Sequence, residues 1–113
     1  MMNTITWSEF ESVELRVGTI IRAEEYPEAR KPAYKIWVDF WSEIGVKQSS
    51  AQITTHYTRE ELIGKQIVGV VNFPPKQIGK FMSEFLCTWF YREDGSVILA
   101  IPEREVENGS KLG

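Results

Sequence analysis

Catalysis would require nucleophiles, general bases or metal ligands at a suitable spacing, and the chain has one histidine and one cysteine. His56 has no second ligand near it at a zinc spacing, and a single ligand does not build a metal site. Cys87 stands in the middle of a strand-like run without a spaced partner, which favours a small buried side chain over a nucleophile. No glycine-rich phosphate loop leads from a strand into a helix. We therefore expect no enzymatic activity, no metal and no cofactor.

The remaining chemistry is that of binding, because basic residues occur close to aromatic ones. The basic residues lie around one inter-strand loop, on the strand after it, and on both sides of a later glycine. They are Arg30, Lys31, Lys35, Lys47, Lys76 and Lys80. Tyr34, Phe73 and Phe81, interleaved with them, can stack on bases or receive apolar side chains. The pattern indicates a ligand surface, with solvated loop lysines as the alternative.

Residues 70–86 join two apolar runs through a segment that holds two adjacent prolines, one glycine and two lysines. Pro74 and Pro75 fix φ and lack backbone donors, so the segment should hold an extended path. Its composition predicts a rigid, shaped loop rather than a helix or a strand. A rigid loop loses less entropy when a ligand binds.

Two short helices are predicted from a threonine that stands three positions before a glutamate, the spacing of a capping box. Thr6 and Glu9 begin the first of them, and Thr58 and Glu61 begin the second. The predicted helices cover residues 6–13 and 58–63. The first has an apolar face that must pack against the body of the protein or a partner, since so short a helix is not stable alone.

Six runs rich in β-branched and aromatic residues are predicted to be strands, and Asp94-Gly95 predicts a hairpin between the last two. They cover residues 15–23, 33–41, 46–53, 65–71, 84–92 and 97–101. The second run alternates, with Tyr34, Ile36, Val38 and Phe40 on the face expected in the core. Its other face carries two tryptophans beside charged residues, a combination typical of an interface.

Five to six short strands with a small helix between the third and the fourth predict an all-β fold, the five-stranded Greek-key barrel called the oligonucleotide/oligosaccharide-binding (OB) fold. A short N-terminal helix and a C-terminal extension from Pro102 would flank the barrel. The 113 residues suffice for one core, so one domain over residues 1–113 is expected. A small sandwich is the alternative, because strand order does not fix connectivity.

The composition is that of an ordinary globular chain, with 42% hydrophobic and 26% charged residues and a net charge of −3. The absence of a basic excess argues against strong non-specific nucleic-acid binding. A single cysteine agrees with a reducing compartment, and no signal peptide or membrane-spanning run is apparent. We expect a cytoplasmic protein without membrane insertion.

Three segments, in this order, carry a resemblance to a known family. Their sequences are RKPAYK at 30–35, KQSSAQIT at 47–54, and NFPPKQIG at 72–79 followed by FMSEFL at 81–86. The chain resembles the CsaA family of export-related chaperones, part of the wider tRNA-binding-domain family that also supplies C-terminal modules of some methionyl-tRNA synthetases. The resemblance covers nearly the whole chain. It implies an OB-fold homodimer that binds unfolded preproteins and the export motor SecA, with a preformed pocket on each subunit.

The resemblance also implies which residues form that pocket. They are Arg30, Lys31, Lys35, Gln48, Ser49, Ser50, Asn72, Phe73, Pro74, Met82, Ser83 and Glu84. Phe73, Pro74 and Met82 would form apolar walls, while the hydroxyl and amide side chains would satisfy a peptide backbone. Lys31 and Lys35 would attract acidic or phosphate groups.

The run from Cys87 to Tyr91 departs from this family, whose members leave the fifth strand with a small Val-Leu-Gly-like ending. Its bulky residues would alter either the packing or the dimer contact. Two functions follow from the resemblance: a dimeric secretion chaperone for extended polypeptide, and a tRNA-binding protein that uses the same barrel face. A purely structural subunit is a third reading, which predicts neither activity.

Overall fold

Two helices and nine strands follow one another in a computed structural model that describes residues 2–113. The helices are α1 Trp7–Glu11 and α2 Arg59–Leu62. The strands are β1 Leu15–Glu25, β2 Tyr34–Asp39, β3 Val46–Ala51, β4 Gln66–Val70, β5 Lys76–Ile78, β6 Phe81–Ser83, β7 Leu86–Cys87, β8 Trp89–Tyr91 and β9 Val97–Leu99.

The main sheet is built around β1, the longest strand. Its order is β3-β2-β1-β4-β7, and every pair in it is antiparallel. Residues 15–19 of β1 pair with β4, and residues 19–25 pair with β2, with an irregularity at Ile21 that lets the strand bend. The sheet curls into a nearly closed five-stranded antiparallel barrel, as the sequence predicted for an OB fold.

Side chains of β2 alternate between the core and the outer surface, as its sequence predicted. Ile36, Val38 and Phe40 are fully buried, and Tyr34 packs against the same cluster. Phe40 fits because two neighbouring strands carry glycine beside it. A Cβ atom at Gly18 or Gly69 would lie less than 3.0 Å from its ring. These glycines give the ring its place in the centre of the barrel.

Both predicted capping boxes are present. At α1 the Thr6 hydroxyl accepts a hydrogen bond from the Glu9 amide, and the Glu9 carboxylate accepts one from the Thr6 amide. Thr58 and Glu61 make the same two bonds at α2. The helix α1 buries none of its residues, and Trp7 is 80% exposed. No helix in the described part of the chain is long and apolar enough to span a membrane.

The segment 70–86 is not the simple loop that its composition predicted. After Pro74 and Pro75 it forms a two-stranded hairpin, β5 and β6, which turns at Gly79 with a φ of +64°. Glycine enters this left-handed region without steric cost, so the turn depends on it. The prolines therefore lead into a short ribbon that can pack on other strands.

The predicted fifth strand, residues 84–92, is divided into β7 and β8 at Thr88. The Thr88 amide and hydroxyl both bond the Val68 carbonyl oxygen, at 3.1 and 2.7 Å. Before this point the chain pairs with β4, and after it β8 pairs with β9 in the predicted hairpin. After this change of partner, the Trp89 side chain packs partly against the core while Tyr91 is exposed.

The C-terminal extension lies along the part of β1 that β2 leaves unpaired. The Gly109 amide bonds the Val17 carbonyl at 2.7 Å, and the Leu112 amide bonds the Leu15 carbonyl at 2.9 Å. Lys111 and Arg16 both donate to the Glu14 carboxylate, and these bonds hold the pKa of Glu14 below its ordinary value. The extension thus completes the edge of the barrel.

Candidate binding grooves

A groove of about 570 Å³ opens between β3, the proline segment and the β7–β8 region; we call it the aromatic groove. Ser49, Ser50 and Gln52 form its floor. The walls are Phe73, Pro74, Lys76, Ile78, Ser83, Phe85, Leu86, Trp89 and Tyr91. The Phe73 side chain is 55% exposed although it borders this depression. Apolar surface is therefore available to a ligand at one side of a polar floor.

A second groove of about 780 Å³ continues from the first, and we call it the basic groove. The two share Ser50, Gln52 and Ile78, so they form one channel along the hairpin. Arg30 and Lys31 line the basic groove together with a single acidic residue, Glu28. The channel is thus apolar at one end and cationic at the other, although the whole chain is acidic.

The β5–β6 hairpin packs on the outer face of β2 through the Phe81 ring. This ring meets Trp37 edge-on at 5.9 Å between centroids and lies 5.8 Å from the Tyr26 ring. The Lys35 ammonium is 5.2 Å from the Tyr26 ring centre, and Arg22 lies 4.5 Å over Trp37. We call these five residues the hairpin cluster. The Tyr26 hydroxyl also donates to the carbonyl of Ile78.

The barrel closes between β3 and residues 82–85 largely through side-chain bonds to the backbone. The Ser50 amide donates to Ser83 Oγ at 2.9 Å, and the Gln48 amide donates to Glu84 Oε1 at 3.1 Å. The buried Ser49 hydroxyl donates to the Phe85 carbonyl at 3.0 Å. Since Ser49, Ser50 and Ser83 also line the aromatic groove, the same residues hold the floor in position.

Seven of the twelve residues expected at a ligand site line the channel. They are Arg30, Lys31, Ser49, Ser50, Phe73, Pro74 and Ser83. The other five lie outside its lining; four of them have contacts of their own, and Met82 is 40% exposed. They are Lys35, Gln48, Asn72, Met82 and Glu84. Asn72 bonds the Ser12 carbonyl at 2.7 Å and the Glu14 amide at 3.0 Å, which ties α1 to the proline segment.

Several residues of the channel were not expected at the site. Lys76, Leu86, Trp89 and Tyr91 belong to the aromatic groove, and Gln77 lines the basic one. Trp89 and Tyr91 stand two positions apart and so share a face of β8, a signal that was present in the sequence.

The residues considered for catalysis lie elsewhere. Cys87 is buried in the core, and burial raises the pKa of its thiol to about 12. His56 Nε2 is 2.9 Å from Ser96 Oγ, which in turn donates to Asp94, at the turn of the β8–β9 hairpin. Hydrogen bonds from Ser96 lower the pKa of Asp94. Among residues 2–113 no three histidine, cysteine or acidic side chains are placed to hold a metal ion.

The barrel and its exposed channel define a binding module of the OB type. The family model described as "Putative tRNA binding domain" matches residues 15–111, and the chain belongs to that family.

Two solved structures are similar to the chain over nearly its whole length. The chaperone CsaA from Bacillus anthracis str. Ames is 48% identical, with a TM-score of 0.92, and the match covers 98% of this chain and 100% of the other. The CsaA chaperone protein from Picrophilus torridus is 46% identical, with a TM-score of 0.90, and the match covers 97% of this chain and 100% of the other.

A methionine–tRNA ligase from Methanococcus aeolicus is 37% identical over 111 residues, which is 98% of this chain and 16% of the ligase. The chain spans about one sixth of the length of the curated relatives it matches.

Proposed function

We propose that the protein is a chaperone that binds extended segments of unfolded preproteins in the channel, in the cytoplasm, during protein export. The observation that carries the proposal is the exposed apolar side of the aromatic groove, where Phe73 and Leu86 are about half exposed next to Pro74. Covering a phenylalanine side chain contributes about 1.5–3 kcal/mol. Similarity to two proteins described as CsaA chaperones supports the same conclusion.

The floor of the channel suits a polypeptide backbone. Ser50 and Gln52 border both grooves, and hydroxyl and amide groups can donate to carbonyls and accept from amides. An extended peptide lying along the channel would place alternate side chains toward the apolar walls. Contacts of this kind depend on the backbone of the peptide more than on its sequence, as a chaperone for varied clients requires.

The proposal includes assembly as a homodimer and contact with the export motor SecA. Trp7 and Trp41 support the dimer, because both are more than half exposed and large exposed aromatic side chains are typical of interfaces. Sedimentation over a range of concentrations tests the dimer, and a pull-down with purified SecA tests the second partner.

Binding of tRNA is the second candidate function. The family assignment favours it, as do the cations Arg30, Lys31 and Lys76 along the channel against Glu28 alone. Phosphate contacts make affinity fall steeply as salt rises. A tRNA titration from low to physiological salt therefore tests this candidate, and failure to bind at low salt would exclude it.

The substitution Phe73→Ala tests the chaperone proposal. We expect the variant to need about tenfold more protein than the parent chain to suppress aggregation of a denatured preprotein, because an apolar wall is lost. The matched control is Phe90→Ala, which removes the same side chain at a position that is 68% exposed and lines neither groove. Light scattering measures the suppression. Equal activity of the two variants would contradict the proposal.

A further inference from the structure

The β8 end of the aromatic groove has two aromatic rings set at right angles. The Trp89 and Tyr91 rings are 6.5 Å apart between centroids with an interplanar angle of 90°. Both line the groove, and Tyr91 is 75% exposed while Trp89 packs partly against the core. Leu86 and Phe73 border the same space. One ring is thus fixed and the other is open to a ligand.

Lys76 is the one charged residue that lines this groove. Across residues 2–113 no carboxylate lies within 4.0 Å of its ammonium group. Lys35, by contrast, has its ammonium over the Tyr26 and Phe81 rings. The aromatic groove therefore combines an open aromatic corner with one cation that has no acidic partner.

We propose that this corner is a subsite for an aromatic side chain of a bound polypeptide, with Lys76 pairing an acidic residue next to it. The inference rests on the proposed function and names the class of client segment that the channel prefers. Aromatic rings favour edge-to-face and offset arrangements, and the perpendicular pair offers a face and edges for a third ring. An acidic neighbour complements Lys76, since a cation in a largely apolar groove gains from a charged partner.

The number of cations favours a peptide over a nucleic-acid strand at this corner. A strand presents one phosphate per nucleotide, and its affinity is built from several Lys and Arg contacts. The aromatic groove supplies Lys76 alone, and Arg30 and Lys31 line the basic groove instead. One aromatic side chain with one carboxylate matches what this corner offers.

The test uses the full chain and four fluorescein-labelled ten-residue peptides of glycine and serine that differ at two central positions. The central pairs are Phe-Glu, Ala-Glu, Phe-Gln and Ala-Gln, and fluorescence anisotropy measures binding. We expect the Phe-Glu peptide to bind at least tenfold more tightly than the Ala-Gln peptide. Tyr91→Ala should weaken Phe-Glu binding about fivefold and leave Ala-Glu binding unchanged. Lys76→Gln should weaken Phe-Glu binding and leave Phe-Gln binding unchanged.

Phe90→Ala is the matched control, because Phe90 neighbours Tyr91 on the opposite face of β8 and is similarly exposed. Tyr91→Phe keeps an aromatic ring and should retain the affinity of the parent chain. Retained affinity would show that the loss in Tyr91→Ala is due to the missing ring. Equal effects of Tyr91→Ala on the Phe and Ala peptides would overturn the inference. So would a loss of oligouridylate binding in Tyr91→Ala without any effect on peptides.

Different results would contradict the proposed function and this inference. If Tyr91→Ala changes the binding of the Phe-Glu and Ala-Glu peptides equally while Phe73→Ala still loses suppression of aggregation, the subsite is overturned and the chaperone function stands. If the parent chain neither binds any of the four peptides nor suppresses aggregation, both are overturned.

Discussion

The hairpin cluster and the aromatic groove have the same ingredients, aromatic rings and basic side chains, in opposite arrangements. In the hairpin cluster the cations lie over the rings, with Lys35 above Tyr26 and Arg22 above Trp37. In the aromatic groove the Tyr91 ring is exposed and Lys76 has no acidic partner among the described residues. Composition is therefore not enough to distinguish a packing contact from an open groove.

The difference follows from what the β5–β6 hairpin covers. On one side of the hairpin, Phe81 packs against Trp37 on the outer face of β2 and against Tyr26, which follows β1. On the other side of the hairpin, Ile78 borders both grooves. The hairpin thus covers part of the outer surface of the sheet and leaves the channel beside it open.

The largest expected effect is on stability, from Phe81→Ala in the hairpin cluster. Phenylalanine-to-alanine changes in cores cost about 3–5 kcal/mol, and Phe81 is half-buried, so we expect a loss of about 2 kcal/mol in the free energy of unfolding. Chemical denaturation measures this loss. Phe73→Ala in the groove is the matched control and should change stability by less than about 0.5 kcal/mol. Similar losses in both variants would remove the distinction between the two regions.

The rate at which the Cys87 thiol is alkylated compares the stability of Phe81→Ala and Phe73→Ala without denaturant. The thiol is buried with a pKa of about 12, so at pH 8 it reacts only after the protein opens. A loss of about 2 kcal/mol corresponds to roughly thirtyfold faster labelling in Phe81→Ala. Phe73→Ala should label at the rate of the parent chain.

A smaller effect is expected from removing one lysine in each region. Lys31→Gln should weaken binding of an acidic peptide about threefold at low salt and leave stability unchanged, because Lys31 lines the basic groove and is exposed. Lys35→Gln should lower the free energy of unfolding by about 0.5–1 kcal/mol, the contribution of a cation over aromatic rings. Calorimetric titration and denaturation measure the two quantities. An affinity loss confined to Lys35→Gln would reverse the assignment of the two lysines.

The smallest effect extends the comparison to a third set of charges, at the C-terminal extension, where Arg16 and Lys111 both bond Glu14. These bonds lower the pKa of Glu14 below its ordinary 4.5 in the folded protein. The stabilisation is therefore present above pH 4.5 and lost as the pH falls through the lowered pKa. Glu14→Gln should be slightly less stable than the parent chain at pH 7, and this difference should disappear in acid. A difference that persists at pH 2 would mean that packing, not charge, is responsible.

Features that depend on near neighbours were predictable from the sequence. The capping boxes at Thr6 and Thr58 need residues only three positions apart, and the alternation of β2 needs only its own six residues. Strand order with an intervening helix favoured the barrel over a sandwich, and the structure confirms the barrel. Each of these patterns is local, so one sequence contains it completely.

The remainder depends on long-range contacts. The resemblance places Asn72 in the ligand pocket, and in the structure its side chain bonds backbone atoms 58 and 60 positions away. Gln48 and Glu84 bond across 36 positions. Polar side chains that close the barrel have the same residue types as side chains that bind peptide. The position of Trp89 and Tyr91 in the groove likewise follows from the break at Thr88, which residue types alone do not reveal.

Gly79 at the turn of the hairpin acts as a spacer for the channel. A Cβ atom at this position would lie 2.5 Å from the Tyr26 hydroxyl oxygen, closer than real atoms approach. A side chain there would require either the turn or the Tyr26 ring to shift, and the turn is next to Ile78, which borders both grooves. The close fit of the hairpin beside the channel therefore depends on the absence of a side chain at this position.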